Sequence, residues 1–452
     1  MKKMKHDVPT RLVKVLNLIL MMVAFGFVWY GYYAARAQVH YYRRGDWVVI
    51  LLFGILYYGF CRSYDAFHIS ISPISEIIYS QTLALIISDF IMYVVIWLLS
   101  LYMPNAVPLL ITFGVQLLIS VLWAFLAHQW YFHNFRPGRT AVIYDLREGM
   151  ESLVGEYGME KKFHIEKVLG VEECLEKLSV LDEMDTVFLS GIHSHERNII
   201  LKYCMYQDIQ VYVIPRIGDV IMGGAKKVHM FHLPMLRIDR YRPIPEYTIA
   251  KRAFDILFSG IAIVIASPFM LVTAIAIKSD GGPALYKQKR LTKDGKEFNV
   301  LKFRSMRVDA EKDGVARLST GDKDDRITPV GKVIRKIRFD ELPQLFNILR
   351  GDMSIVGPRP ERPEIARQYE EEMPEFRLRL QAKAGLTGYA QVYGKYNTTP
   401  YDKLLMDLTY IGTPSLWEDF KICLATVKIL FMPESTEGVA EGATTAMGGE
   451  KH

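Results

Sequence analysis

Cysteine is scarce in this chain: Cys61, Cys174, Cys204 and Cys423 are the four among 452 residues, far apart and without a CxxC pair. That excludes a cysteine zinc module and a disulfide scaffold, and leaves reduced thiols as the default. Charge of one sign is also lacking, since 55 Lys and Arg against 49 Asp and Glu give only +6. Such a balance is too mild for a polyanion binder unless the charge is clustered, and no nucleic-acid partner is expected. What the chain has in excess is apolar surface. Half its residues are hydrophobic and its mean hydropathy is +0.11, which suits neither a disordered chain nor an ordinary soluble protein. The length leaves room for two or three domains of roughly 100–200 residues each.

Charge is missing altogether from several long runs. Val15 to Ala35 has none, and about 20 apolar residues cross the hydrocarbon core as a helix. Trp47 to Cys61 is shorter but flanked by Tyr41, Tyr42, Tyr57 and Tyr58, rings that settle at lipid interfaces. Leu83 to Tyr102 carries only Asp89, and Val107 to Ala127 carries no charge. Four spans are therefore expected within 1–135. The first run lacks a small-residue cleavage site, so it is not read as a signal peptide. Lys2, Lys3, Lys5, Arg11, Arg136 and Arg139, joined by Arg62, outweigh Arg36, Arg43 and Arg44 and place both flanks in the cytoplasm. Asp89, with no basic residue nearby, reads as a bundle-facing residue paired by a neighbour rather than as an ion path.

Strand-like runs at Thr140–Tyr144, 185–189 and 210–214 alternate with charged helical stretches at 170–181 and 196–206. That order predicts a small cytosolic α/β, Rossmann-like domain over 136–245. The turn after its first strand holds Asp145-Leu-Arg-Glu148 rather than the glycines that let backbone approach a pyrophosphate. Assembly or regulation is expected of this domain, not dinucleotide binding. His193, His195 and Glu196 sit where a loop enters a helix, so a structural role is favoured over metal binding, with Ser194 or His195 as the cap.

Phe258 to Ile277 is uncharged, but Ser267-Pro268 falls near its middle. If it crossed, Lys278 to Arg304, with eight Lys or Arg against three Asp or Glu, would face outside. That violates the orientation bias, and a re-entrant helix turning at Ser267-Pro268 is preferred to a fifth span. Beyond it lie Tyr286-Lys-Gln-Lys-Arg290, Lys302-Phe-Arg-Ser-Met306, Asp325-Arg-Ile-Thr328, Arg335, Asp340-Glu-Leu-Pro-Gln-Leu345, Gly357-Pro-Arg-Pro360 and Gly385-Leu-Thr-Gly-Tyr-Ala-Gln-Val392. Bases this dense beside a membrane segment suit phosphate groups, although a solvated basic face has the same composition. Adjacent Asp340 and Glu341 could divide nucleophilic attack and cation binding, or simply cap a helix.

The ordered motifs over 251–431 resemble the bacterial sugar transferase domain of the polyprenyl-phosphate glycosyl-1-phosphate transferases. The whole chain before Pro433 resembles their large members, which initiate capsule and exopolysaccharide synthesis. The resemblance implies a membrane protein with a four-span α-helical bundle, the α/β domain, and a mostly α-helical membrane-associated catalytic domain over 246–432 with a re-entrant helix. It implies transfer of a hexose-1-phosphate, glucose or galactose as the leading expectations, from a UDP-sugar to undecaprenyl phosphate with release of UMP. The setting is the inner-membrane face toward the cytoplasm. By the same resemblance Asp340 is the nucleophile that carries a covalent phosphosugar, and Glu341 the Mg²⁺ ligand. Lys302, Arg335, Arg359 and Asp419 fall on motif positions lining the site, with Arg304 beside them. Thr292, Ala384 and Lys395 stand where the family usually has Gly, Pro and Arg, which bears on substrate preference. Asp322-Lys-Asp324 offers a competing reading as the DxD motif of a conventional metal-dependent glycosyltransferase. An inactive scaffold or regulator is the non-enzymatic alternative. The α/β domain is the expected face of any homodimer. The stretch from Pro433 onward reads as a disordered tail without assigned function.

Overall fold

The computed structural model describes residues 2–36, 45–147, 149–279, 281–307, 326–394 and 398–430. Tyr41, Tyr42, Arg43, Arg44, Glu148, Asp325, Lys395, the Asp322-Lys-Asp324 motif and the stretch from Pro433 lie outside the described residues, as do the side chains of Lys2, Lys3 and Lys5. By internal packing the chain divides between Ile214 and Pro215, earlier than the expected start of the catalytic part at 246.

The first unit opens with four long apolar helices, α1 (Lys2–Val28), α2 (Gly45–Ser63), α3 (Ile74–Ser100) and α4 (Val107–Asn134). Each has the length and hydropathy to cross a membrane. Leu12, Phe27, Phe90 and Leu118 stand exposed on their outer faces, while polar groups are turned inward. There Tyr57 donates to Asn17 Oδ1 (2.9 Å) and Ser120 to Gln81 Oε1 (2.7 Å), and the Asn17 amide reaches the same oxygen at 3.4 Å. In lipid the apolar residues gain little by hiding from one another, so such interhelical hydrogen bonds and close contacts carry the packing. Gly54 supplies one close contact, since a Cβ there would meet Met22 Sδ at 2.7 Å.

The same unit continues into a four-stranded parallel sheet of order β2-β1-β3-β4, built from β1 (Gly138–Tyr144), β2 (Phe163–Gly170), β3 (Thr186–Ser190) and β4 (Gln210–Val213), with the short helices α5 (Met150–Glu156) and α6 (Val171–Glu176) after β1 and β2 in the chain. Three of these strands are the expected ones. The fourth, β2, lies at the sheet edge with alternate residues exposed, which is why its charged sequence hid it. Strand alternation sends Val187 and Leu189 to one face, against Cys174, Ile200 and Cys204, and Phe188 to the other, against Val154 and Phe163. His193, not Ser194 or His195, is the N-cap of α7 (Ser194–Tyr206), and no side chain caps that end. Among the described residues no three His, Cys, Asp or Glu side chains gather as a metal site.

The second unit begins with the short α8 (Ile217–Gly223) and the antiparallel hairpin β5 (Lys226–Met230) and β6 (Leu233–Arg237). These belong with the carboxyl-terminal unit because α8 packs on α14 (Pro400–Gly412) and Gly224 lies against Gly412. The 34-residue α9 (Pro245–Lys278) follows. Contrary to the expected break, helix continues through Ser267-Pro268. Pro268 has no N–H for the Val264 carbonyl one turn back, and Ser267 Oγ supplies the missing donor at 2.8 Å. Both ends of α9 are fastened to the same body. Near its start Arg252 donates to the Ile348 and Leu349 carbonyls (2.7 Å each), and Asp255 accepts from Ile355 N (2.9 Å) and Ser354 Oγ (3.1 Å). At its end Ile277 packs with Phe303 and Ile334, and its carbonyl accepts from Arg304. Between them Ile261, Val264, Ile265, Phe269, Val272 and Ile275 stay exposed.

Around α9 are the antiparallel pair β7 (Leu285–Leu291) and β8 (Glu297–Phe303), helices α10 (Pro329–Lys336) and α11 (Gln344–Arg350), and the parallel pair β9 (Ser354–Val356) and β10 (Gly385–Thr387). Helices α12 (Pro363–Glu372), α13 (Tyr389–Val392), α14 and α15 (Leu416–Leu430) complete the unit. Just beyond β9 and at the first residue of β10 the two backbones touch: a Cβ on Gly385 would stand 2.1 Å from Gly357 N. Gly385→Ala is therefore expected to destabilise this unit by about 1–3 kcal/mol. Gly260→Ala on α9, where a Cβ meets nothing within 4 Å, should leave the thermal unfolding midpoint unchanged or raised.

Candidate active site

Three segments distant in sequence meet at one carboxylate. Glu341 ends the tight turn Phe339–Glu341, which starts from Arg338 in the left-handed region at φ 55°. Lys302, one residue from the end of β8, reaches Glu341 Oε1 at 2.8 Å, and Arg359, three residues beyond β9, reaches the same oxygen at 2.9 Å. The carboxylate is only 15% exposed. Burial alone would raise its pKa, but Lys302 and Arg359 outweigh burial and hold it well below the usual range.

Its neighbour Asp340 behaves in the opposite way. Burial pushes the Asp340 carboxyl above the ordinary range, and Glu341 adds to the rise against the pull of Lys302, Arg335 and Arg359. Two adjacent carboxyls are thus pushed apart, one firmly ionised and one raised, an arrangement that separates chemical roles. Arg335 sits in the last turn of α10, with Nη1 buried and without a hydrogen-bond partner among the described residues, while its charge acts on Asp340.

Asp340, Glu341, Lys302, Arg335 and Arg359 therefore form one constellation. Arg304 does not join it. Its guanidinium is buried and donates to the carbonyls of Pro283 (2.9 Å), Ile277 (3.1 Å) and Met306 (3.4 Å), which makes it a clamp on the end of α9. Asp419 is also a fastening: 3% exposed, it accepts from Lys251 and Tyr247 (2.9 Å each) and from Tyr410 (2.8 Å). That network joins α9, α14 and α15. Ser267 and Pro268 lie on the exposed stretch of α9.

Motif reading missed a second layer. Arg379 and Asp407, both nearly fully buried, pair at 2.7 Å, and Arg379 also donates to the Arg359 carbonyl at 2.8 Å. Arg290 holds the Pro360 carbonyl at 3.0 Å and lies 3.7 Å from Glu361. The carbonyls of Arg359 and of the next residue are thus each tied to a guanidinium group. Asn347 on α11 bonds Leu301 N and Asn299 O (2.9 Å each), which sets β8 and hence Lys302 against the Asp340 turn. Asp407 within the apolar run Leu404-Leu-Met-Asp-Leu408 was the one available signal.

Residues 246–433 match the family described as bacterial sugar transferase. The chain is 40% identical over 234 residues to a UDP-N-acetylgalactosamine-undecaprenyl-phosphate N-acetylgalactosaminephosphotransferase of Aeromonas hydrophila, covering 51% of this chain and 54% of that protein. It is 40% identical over 201 residues to a UDP-glucose:undecaprenyl-phosphate glucose-1-phosphate transferase of Caulobacter vibrioides, covering 43% of this chain and 74% of that one. To an undecaprenyl-phosphate galactose phosphotransferase of Salmonella typhimurium it is 38% identical over 236 residues, 49% of each chain. The match thus spans about half the length of the first and third relatives.

The two carboxyls predict opposite effects on stability. Asp340, raised, binds its proton more readily folded than unfolded, so its ionisation costs stability at neutral pH, and Asp340→Asn should raise the unfolding midpoint. Glu341, lowered, contributes stability that is present above the usual carboxylate range and is lost only as pH falls through its depressed value. Glu341→Ala leaves Lys302 and Arg359 facing each other and should cost about 1–3 kcal/mol at pH 7. Thermal unfolding of the two variants, with shifts of opposite sign, checks this.

Proposed function

This chain belongs to the bacterial sugar transferase family, and on that premise we propose that it transfers a sugar-1-phosphate from a UDP-sugar to undecaprenyl phosphate. The observation that carries the reading is the meeting of Lys302, Arg335 and Arg359 around the split pair Asp340 and Glu341. Cleaving a diphosphate builds negative charge on the departing phosphate and on the phosphoryl group in flight, and fixed cations answer both.

In the proposed course an ionised Asp340 oxygen attacks the sugar-bearing phosphorus, the bond to the bridging oxygen breaks, and UMP departs with that oxygen. An aspartyl phosphosugar remains. The terminal oxygen of undecaprenyl phosphate then attacks the same phosphorus, a new diphosphate bond forms, and the Asp340 carboxylate is released. Arg335 and Arg359 hold phosphate oxygens, and Lys302 with Arg359 keeps Glu341 ionised.

Mg²⁺ fits this donor set. The ion is typically held by one or two carboxylates together with substrate phosphates rather than by an all-protein cage. No such cage exists among the described residues, whereas ionised Glu341 keeps Oε2 clear of the bonds from Lys302 and Arg359, both of which land on Oε1. Bound there, the ion would neutralise charge on the diphosphate.

The attachment of α9 supports a location. The helix presents an unbroken apolar face yet is fastened at both ends to the body that carries the site. That supports a helix that enters and leaves one face of the bilayer, with α1–α4 spanning and the catalytic unit on the cytoplasmic side. A lipid phosphate at headgroup depth can then reach Asp340.

The sugar is open among the kinds named for the relatives. Nucleotide release from UDP-glucose, UDP-galactose and UDP-N-acetylgalactosamine, with undecaprenyl phosphate and Mg²⁺, should give UMP with one donor, and chelation or Asp340→Asn should abolish it. With the donor alone, intact-mass measurement should show one sugar-phosphate added to the protein and none added to Asp340→Asn. The rate should climb as pH rises through the elevated Asp340 value, because attack needs the carboxylate. Release of UDP in place of UMP would overturn the proposal in favour of direct glycosyl transfer.

A further inference from the structure

Thr292 and Ala384 are the two positions at which the family resemblance expects Gly and Pro, and they touch. Ala384 N donates to Thr292 Oγ1 at 3.2 Å, and the same hydroxyl donates to the Asp352 carbonyl at 3.1 Å. One side chain, just past β7, thus joins the approach to β9 and the approach to β10. Those two strands flank the loop that carries Arg359. The loop itself leans on the segment so held: Gly385 N donates to the Pro358 carbonyl (2.9 Å), Ser354 N to the Ala384 carbonyl (2.8 Å), and Leu291 N to the Glu361 carbonyl (3.0 Å). Thr292 and Ala384 line one narrow cavity together with Pro358, Arg359 and Glu361. Ala384 is 3% exposed, so without Thr292 its N–H would lose its partner where water does not readily reach.

We propose that Thr292 and Ala384 act as one latch that positions the 357–361 loop, and with it the Arg359 guanidinium, against Glu341 and the substrate phosphate. The role toward substrate rests on the transfer reaction proposed above; the role toward the loop does not. A hydroxyl latch and a proline are alternative ways of satisfying the same spot. Proline has no N–H to be satisfied and sets its ring carbon where that hydrogen points, so it needs no acceptor at 292 and would strike the Thr292 hydroxyl that stands 3.2 Å from the nitrogen. The pair therefore changes safely only together.

Four variants of the full chain in detergent test this: Thr292→Val, Thr292→Ser, Ala384→Pro, and Thr292→Gly combined with Ala384→Pro. Hydrogen exchange across 357–361 reports the loop without any substrate. Thr292→Val and Ala384→Pro should each speed that exchange by about tenfold, the equivalent of one lost hydrogen bond, and Thr292→Ser should not. The double variant should return toward the parent. In UMP release, the two single variants should raise KM for the UDP-sugar more than they lower kcat. In an Arg359→Ala background Thr292→Val should add no further loss.

Exchange unchanged in the single variants, or losses that simply add in the double variant, would overturn the latch. A further loss in the Arg359→Ala background would reduce Thr292 to general scaffolding and overturn the positioning role. If the parent releases no UMP while exchange behaves as described, the latch stands and the transfer reading fails.

Discussion

Everything in the catalytic unit turns on holding two cations against one carboxylate oxygen. Lys302 comes from β8 and Arg359 from the loop after β9, two strands that are not paired with each other, and without Glu341 the two cations would repel. Their convergence on Oε1 at 2.8 and 2.9 Å fixes the ends of β8 and β9 relative to the 339–341 turn. It also decides the chemistry next door. Because the cations bond Glu341 directly, their field reaches Asp340 only in part, too weakly to undo the effect of burial on that carboxyl. A neighbour that is raised while Glu341 is depressed is a consequence of which residue is bonded, not of residue type.

Such a knot needs rigid backing, and buried or half-buried guanidinium groups provide it. Arg379 with Asp407, and Arg290 beside Glu361, hold the carbonyls of Arg359 and Pro360, while Arg252 closes the end of α11. Arginine suits this work because its planar fork can satisfy several acceptors at once while staying charged. Burying these pairs is costly unless every donor is used, and here backbone carbonyls of Arg359, Pro360, Ile348 and Leu349 accept from the guanidinium groups. The same logic explains Arg304. It looks like a phosphate ligand in sequence, two places from Lys302, and alternation along a strand would aim both side chains one way. β8 ends at Phe303, so alternation stops before Arg304, and its guanidinium turns to the carbonyls at the end of α9.

Legibility in the sequence followed how local each signal was. The apolar runs, the strands β1, β3 and β4 and the Asp340-Glu341 pair depend on spacing within a few residues and were readable. The edge strand β2 was not, because half its side chains face solvent and its pattern resembles a charged loop. Asp419 had the right motif position but the wrong expected surroundings: three donors from Lys251, Tyr247 and Tyr410 turn it into an internal fastening. The Arg379–Asp407 pair and the Thr292–Ala384 contact join residues far apart in the chain. Nothing in one sequence announces such contacts until the fold closes them.

The same limit applies to α9, where composition and attachment point in different directions. By length and hydropathy it equals α1–α4 as a spanning helix. What separates it is where its polar ends are held. A helix crossing the bilayer delivers its two ends to opposite sides, so one folded body cannot grip both. Arg252 and Asp255 near the start, and the Ile277 carbonyl near the end, are all gripped by the body formed by β8, β9, α10 and α11. The proline does not interrupt the helix, because Ser267 restores the hydrogen bond that Pro268 removes. Ser-Pro in an apolar run is therefore a repaired weak point: one main-chain bond is lost and one side-chain bond replaces it. Attachment at both ends, rather than the proline itself, is the feature that argues for a helix returning to the face it came from.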